Sequence, residues 1–488
     1  MRASPVGGTR GARFAGAQFA LNSRQGRSGP VCYTTRCMFG QFRSPLLSRV
    51  AWQASLWKNG MAAVRAEIDG FRRLAPAAAR KNMAERLQRQ IQYFGARGDG
   101  LPEWREAARI QDPDELWRQW PSLPILTKKD LKSRFQPGEI SARFGLKGNL
   151  KATGGSTGEP TQVLHDKRMV ELVWLSTIYW RLAIGWRPGI PTISIWGSDR
   201  DIGKSASTAR LRFISSLKNE RAVSGFEIDG AVVENLLRIL AAQAPVVLYG
   251  YSSFLEHTAR KILVRGDLPD PGAVQTAWAS GETLYESQSK TFERAFGAPL
   301  LSVYGGREMG LIGTQILPLG PHILNRPYIF LEIVDENGRP CGPGVPGRIL
   351  ATSTVCRGTP FLRYDVGDLG SRSEGGCDES GIREIAQLHG RVSGLLELPN
   401  GRTISNIFWN HLLKEFPEIH QFQLALIDNQ RLELRLRGER LNPVQESGLR
   451  SSINRFAAGV PLVIKWVERF DMTREGKLMH VVRESVPG

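Results

Sequence analysis

With 488 residues, 41% of them apolar, 52 Gly and 28 Pro, the chain is long enough for two or three domains and has the balance of a globular protein, not of a fibrous or low-complexity one. It contains no run of about 18 uncharged apolar residues, so no membrane-spanning helix is expected. The net charge of +18 invites a nucleic-acid reading, but ten basic residues precede the first acidic one, Glu67, and the remaining 423 residues carry only +8, with no basic stripe interleaved with aromatics.

Residues 1–47 are rich in Gly, Ala, Ser and Arg without clear periodicity, and read as a disordered arm or as translated sequence ahead of a start at Met38 or Met61. They lack the long apolar core of a secretory signal. The five cysteines (Cys32, Cys37, Cys341, Cys356, Cys377) include no tight pair at metal-ligand spacing, so a reduced, cytoplasmic protein is expected.

From about Trp52 to Phe135, apolar residues recur at three- and four-residue spacing, as in AAARKNMAERLQRQIQYF, which predicts a helical leading region. Thr127 in Leu126–Leu131 is placed to cap a further short helix. Residues 162–310 alternate short apolar runs (PTISIW, PVVLYGY, AVQTAWAS, PLLSVYGG) with helical stretches (VVENLLRILAA, ESQSKTFERAF), the pattern of a helix-covered sheet with ligands at the carboxyl ends of its strands. Residues 321–385 turn to strand chemistry around Glu336-Asn337-Gly338 and read as a small β subdomain. After Gly390, strands at QFQLALI, RLELRLR and PLVIKWVERF with a helix near VQESGLRSSINRFA predict a small α+β domain. The expected class is therefore α/β (α+β): a large domain over 48–389 and a smaller one over 390–488.

Five short segments carry the chemical signal. Lys151–Pro160 reads KATGGSTGEP, a Gly/Ser/Thr loop able to wrap phosphates with backbone N–H groups where larger side chains would collide. It lacks the Gly-Lys-[Ser/Thr] ending of a P-loop, which excludes an ordinary P-loop NTPase. Tyr304-Gly305-Gly306-Arg307-Glu308, Arg363–Asp368, Gly390-Arg391 and Thr473–Lys477 follow in that order.

In this order and spacing the segments resemble the motifs of the adenylate-forming superfamily, over roughly residues 120–480. Ser280-Gly281-Glu282, Tyr249–Ser253 and the Pro124–Leu131 segment look most like its phenylacetate-CoA ligase and CapK-like branch. The resemblance implies ATP-dependent activation of a small-molecule carboxylic acid to an acyl-adenylate with pyrophosphate release. The acyl group then goes to a thiol, coenzyme A by default. Transfer to a carrier protein or to an amine in polysaccharide or secondary metabolism, and a catalytically degenerate nucleotide-binding scaffold, remain alternatives.

By the same resemblance Thr153, Gly154, Gly155, Ser156, Thr157 and Gly158 cradle the β/γ-phosphates. Gly281, Glu282 and Tyr304 line the nucleotide, and Glu308 holds Mg²⁺, a hard cation suited to carboxylate and phosphate oxygens. Asp368 accepts the ribose hydroxyls, Arg391 contacts the nucleotide, and Lys477, on a mobile C-terminal lid, neutralises the transferring centre. Ser393 and Gly394 stand where the family hinge carries Asp, a departure from type. Trp196, Tyr249 and Tyr251 are candidates to line the acid slot, and Arg307 to read an anionic substrate group. No nucleic-acid partner is expected, and a homodimer is left open.

Overall fold

The computed structural model describes residues 45–152, 161–196, 217–224, 230–391 and, between 396 and 484, all but 400–402, 405–411, 414–415, 417, 458, 471–477 and 479–480. The first described elements are helices: α1 (Pro45–Lys58), α2 (Met61–Arg72), α3 (Pro76–Ala96), α4 (Pro102–Ala107), α5 (Pro113–Gln119), α6 (Lys128–Arg134) and α7 (Pro137–Phe144). Five of the seven begin with proline, whose fixed φ suits the first helical position and whose missing N–H would lack a partner there anyway. α6 starts differently, on a capping box in which Thr127 and Asp130 each accept the other's backbone N–H. In α3, Met83, Leu87, Ile91 and Phe94 recur every three or four residues and enter one core with Trp104, Trp120 and Phe135.

An antiparallel hairpin follows, β1 (Gly148–Ala152) with β2 (Gln162–Asp166). Asp166 then caps α8 (Lys167–Ala183), its Oδ1 accepting from the amides of Arg168 and Met169. The alternating region gives β3 (Thr192–Trp196), β4 (Glu220–Ser224), α9 (Gly230–Gln243), β5 (Val246–Gly250), α10 (Ser252–Arg265), β6 (Val274–Ser280), α11 (Glu286–Phe296), β7 (Leu300–Gly306), β8 (Gly310–Gln315) and β9 (His322–Leu324). Next come β10 (Ile329–Val334), β11 (Gly347–Ser353), β12 (Tyr364–Ser371), the short β13 (Cys377–Asp378), β14 (Gly381–Ile382) and β15 (Glu384–Ile385), and β16 (Gln387–Arg391).

Eight strands form the large sheet, in the order β15-β9-β8-β7-β6-β5-β3-β4. It is parallel from β4 to β7 and antiparallel from β7 onward. Its central strands read as near-continuous apolar runs because both faces are covered. A four-stranded antiparallel sheet, β10-β11-β12-β16, packs beside it. This sheet recruits β16 from beyond residue 385, whereas β9 and β15, inside 321–385, join the large sheet. The Asp335–Gly338 turn links β10 towards β11 as its Asn-Gly sequence predicts, with Gly338 at φ +78°.

Arg363 ties the leading helices to this sheet. Its side chain is 2% exposed, and the guanidinium donates to both carboxylate oxygens of the half-buried Glu332 (3.2 and 3.1 Å) and to the carbonyls of Pro121 and Leu123 (2.5 Å each). The neighbouring Leu126 forms a parallel bridge with Tyr364.

The C-terminal part holds a short hairpin, β17 (Leu396–Glu397) with β18 (Thr403–Ile404), then β19 (Ile419–Ile427), β20 (Arg431–Gly438), α12 (Pro443–Phe456), β21 (Leu462–Trp466) and β22 (Val481–Glu484). The sheet β21-β20-β19-β22 has its own core, Leu424, Leu426, Leu432, Leu434 and Leu436 against Leu449 and Ile453 of α12.

Candidate active site

The candidate site gathers at the carboxyl end of β7, where the chain reverses into β8. Tyr304 precedes a register slip at Gly305, and Gly306 pairs with Gly310 across the turn Arg307-Glu308-Met309. A Cβ on Gly305 would lie 2.2 Å from the Gly310 carbonyl oxygen, and Gly310 sits at φ +72°, so the reversal is this tight because both positions are glycine. It holds Glu308 at the tip, with 15% of its side chain exposed.

Two hydrogen bonds dock the β1–β2 hairpin on this turn. Arg307 Nη1 donates to the carbonyl of Ala152, the last residue of β1, at 3.2 Å. His165 Nε2 lies 2.7 Å from the carbonyl of Glu308; a carbonyl only accepts, so Nε2 carries the proton. Burial, outweighing the Glu308 carbonyl, holds the imidazole below its usual pKa, so it is neutral at pH 7. Thr153, Gly154, Gly155, Ser156, Thr157 and Gly158 lie outside the described residues, but both strands that flank them, β1 and β2, are pinned to the Glu308 turn. β2 is held from its other side by Asp166 Oδ2, which accepts from Arg357 N (2.6 Å) and Gly358 N (3.2 Å).

Lys128, at the start of α6, brings its Nζ to 3.7 Å from Glu308 Oε1, with 36% of its side chain exposed. At this distance and exposure the pair is a loose electrostatic contact, open to competition from another cation or an anion. Across the sheet junction, Tyr304 donates its hydroxyl to Asp368 Oδ2 at 3.0 Å. Asp368 on β12 in turn lies directly opposite Arg391 on β16 in the strand register. Three residues singled out in separate motifs, Tyr304, Asp368 and Arg391, thus share one junction between two sheets; the Arg391 side chain is outside the description, as is Lys477.

Gly281 and Glu282 lie at the end of the adjacent β6. Gly281 has φ +82°, and Glu282 turns back to cap α10, with Oε2 accepting from Ser252 Oγ (3.1 Å) and Ser253 N (3.0 Å). Its Oε1 is buried and meets no hydrogen-bonding partner among the described residues. Tyr251, proposed for the acid slot, is 1% exposed and packs against Phe254 in the core; Tyr249 is half-buried with its ring edge to Trp278, and the Trp196 side chain is not described.

Sequence reasoning missed Lys128 and His165. Lys128 reads as one of two lysines in a helix start, and His165 as part of an alternating strand. Each reaches Glu308 only through tertiary docking of its own segment. Among the described residues no group of three or more His, Cys, Asp or Glu could form a metal cage. One accessible carboxylate, Glu308, suits Mg²⁺, which is commonly held by one or two carboxylates together with substrate phosphates.

No family model matches the chain. It is 23% identical over 294 residues to a phenylacetate-coenzyme A ligase of Thermus thermophilus, covering 58% of this chain and 64% of that protein, just under two thirds of its length. It is 22% identical over 393 residues to a phenylacetate-coenzyme A ligase of Pseudomonas putida, covering 77% of this chain and 86% of that one. Among solved structures, a 2-hydroxyisobutyryl-CoA ligase in the postadenylation state superposes with a TM-score of 0.62 at 17% identity, over 84% of this chain and 90% of that one, a likeness of fold.

Proposed function

We propose that this chain is a member of the adenylate-forming superfamily, in its phenylacetate-coenzyme A ligase-like branch, and that it activates a carboxylic acid with ATP and transfers the acyl group to a thiol, coenzyme A. The observation that carries this reading is the docking of the β1–β2 hairpin on the Glu308 turn, at 2.7 and 3.2 Å, beside the Tyr304–Asp368 hydrogen bond. A phosphate-wrapping loop, a carboxylate fit for Mg²⁺ and a ribose-type acceptor are what nucleotidyl transfer to a carboxylate requires.

In the first half-reaction a carboxylate oxygen of the acid attacks the α-phosphorus of ATP, the bond to the bridging oxygen breaks, and pyrophosphate leaves. Such transfers are accelerated mainly by positioning and by neutralising the charge on the phosphoryl oxygens. Thr153–Gly158 would grip the β/γ-phosphates, Asp368 the ribose, and Arg391, Gly281 and Tyr304 the nucleotide. Mg²⁺ held by Glu308 would add charge neutralisation on the phosphates. Lys128 would meet the same phosphates from the α6 side, and Lys477 would reach the transferring centre. In the second half-reaction the thiol sulfur attacks the acyl carbon, its proton passes to solvent, and AMP leaves. Residues 390–488 form the lid of this reading, and Gly394 the pivot.

The test is acid-dependent pyrophosphate release, with ATP and Mg²⁺, across aryl, fatty and hydroxy acids, followed by thioester formation on adding coenzyme A. ATP binding with no release for any acid would leave a nucleotide-binding scaffold instead.

A further inference from the structure

On α10, His257, Arg260, Lys261, Val264 and Arg265 recur at three- and four-residue spacing and so share one face of the helix. The opposite face, with Leu255, Ala259 and Ile262, is fully buried. The basic face instead forms one wall of a cavity of about 460 Å³, whose other wall is the C-terminal sheet.

That sheet contributes its part through a local irregularity. Gln421 on β19 faces Arg437 on β20, but the register slips between Ile419 and Gln421, leaving His420 as the extra residue. A bulge of this kind re-aims a side chain, and His420 lines the cavity. Arg437 is half-buried and donates to Gln421 Oε1 at 3.2 Å.

Charge in the lining is one-sided. Four permanent cations, Arg260, Lys261, Arg265 and Arg437, face a single carboxylate, Glu256. That carboxylate is already taken by Arg260 (2.7 Å) and Gln288 (3.3 Å), and Arg265 is drawn to Asp267 (3.0 Å). Burial, with Arg437, Lys261 and Arg260 adding to it, pushes His257 down to about 4; burial and Arg260 lower His420. Like charges collected round a hollow repel one another unless an anion joins them.

We propose that this cavity binds a small phosphorylated anion, which bridges α10 to the C-terminal sheet. Guanidinium forks and an ammonium are the groups that recognise phosphate oxygens, and the neutral imidazoles add N–H donors. The volume falls in the range of small-molecule sites, so a diphosphate or a nucleoside bisphosphate fits better than a lone phosphate ion. None of the residues assigned above to carboxylate activation lines this cavity.

The experiment uses the full chain without acid or ATP; pyrophosphate is also the leaving group of the proposed activation and adenosine 3′,5′-bisphosphate the nucleotide end of coenzyme A, so the place of binding, not binding alone, separates this proposal from that reading. Inorganic pyrophosphate and adenosine 3′,5′-bisphosphate are titrated separately by calorimetry, with amide hydrogen exchange read at saturation. Binding should protect residues 256–265 and 419–438. The Lys261→Gln/Arg437→Gln double variant should weaken binding at least about ten-fold, the scale of a lost charge-assisted contact, while Asp368→Asn leaves it unchanged. Both probes binding identifies a diphosphate site; the bisphosphate alone identifies a nucleotide site. If the double variant does not fold, the exposed Arg265→Gln should weaken binding about three-fold. Protection of 256–265 and 419–438 that survives the substitutions, protection confined to the Tyr304–Met309 turn, or no binding of either probe up to about 10 mM, beyond the weak end of specific affinities, overturns the proposal.

Discussion

The hydroxyl of Tyr304 donates to Asp368 at 3.0 Å, joining the end of β7 in the large sheet to β12 in the four-stranded one. In the proposed reaction the bond orients the carboxylate that receives the ribose. Tyr304→Phe keeps the ring and removes the donor, so the KM for ATP should rise about ten-fold while the folded state is retained, a neutral donor to a charged acceptor being worth roughly 1.5–3 kcal/mol. Pyrophosphate release at varied ATP measures it; an unchanged KM would detach Asp368 from nucleotide binding.

Glu308 and Lys128 face each other at 3.7 Å, and the two substitutions should act differently on the metal. Glu308→Gln should lower adenylate formation about 10²-fold and raise the Mg²⁺ needed for half-maximal rate, the usual scale for losing one charge-stabilising group. Lys128→Ala removes a competing cation, so half-saturation should come at lower Mg²⁺ even as the maximal rate falls. Parallel shifts in both variants would mean the two side chains do not share a metal site.

Much of this architecture was legible in the chain itself. Strands β3, β5, β6 and β7 announced themselves as apolar runs because a sheet covered on both faces leaves no polar side, and the Thr127 cap could be read from Thr and Asp three residues apart. The Tyr304, Glu308 and Asp368 motifs were visible, but their convergence was not. His165 and Lys128 reach Glu308 because β2 docks on the β7–β8 turn and Leu126 bridges to Tyr364, contacts between residues 143 or more positions apart. Periodicity reports which face of an element is buried; it carries no information on which distant turn that element meets.

Glu282 separates two roles that its motif cannot distinguish. Its bonds to Ser252 and Ser253 make it a cap for α10, so Glu282→Gln should cost about 1 kcal/mol of stability in denaturant unfolding, the typical scale of a capping interaction. A rise in the KM for ATP with stability unchanged would instead assign it to the nucleotide.

Behind Tyr304 lies His322, ring to ring at 6.3 Å, buried, with neither ring nitrogen meeting a hydrogen-bonding partner among the described residues. Burial pushes its pKa from 6.5 down to about 4. The unfolded chain therefore binds the extra proton between those values. The stability this group contributes is complete above pH 6.5 and is lost as pH falls towards 4, by about 3 kcal/mol in all. His257 acts in the same direction. His322→Phe should flatten the acid limb of a plot of denaturation midpoint against pH; an unaltered slope would exonerate this residue.

The reversal at β7 leaves no room for a methyl group. Gly305→Ala would press its Cβ onto the Gly310 carbonyl, 2.2 Å away. Overpacking of this kind costs about 1–3 kcal/mol, and relief by backbone movement would shift Glu308. Loss of Mg²⁺-dependent activity out of proportion to the fall in thermal midpoint is the expected signature; wild-type activity would sink the idea that turn geometry sets the metal ligand.

The Arg363 hub has a consequence for synthesis. The carbonyl of Leu123 and the guanidinium that satisfies it are 240 positions apart in the chain. At about 5–20 residues per second, a ribosome needs roughly ten to fifty seconds to make the second after the first. The segment leading into α6, and Lys128 with it, therefore emerges well before its anchor exists, which makes α6 a late-docking element on the nascent chain.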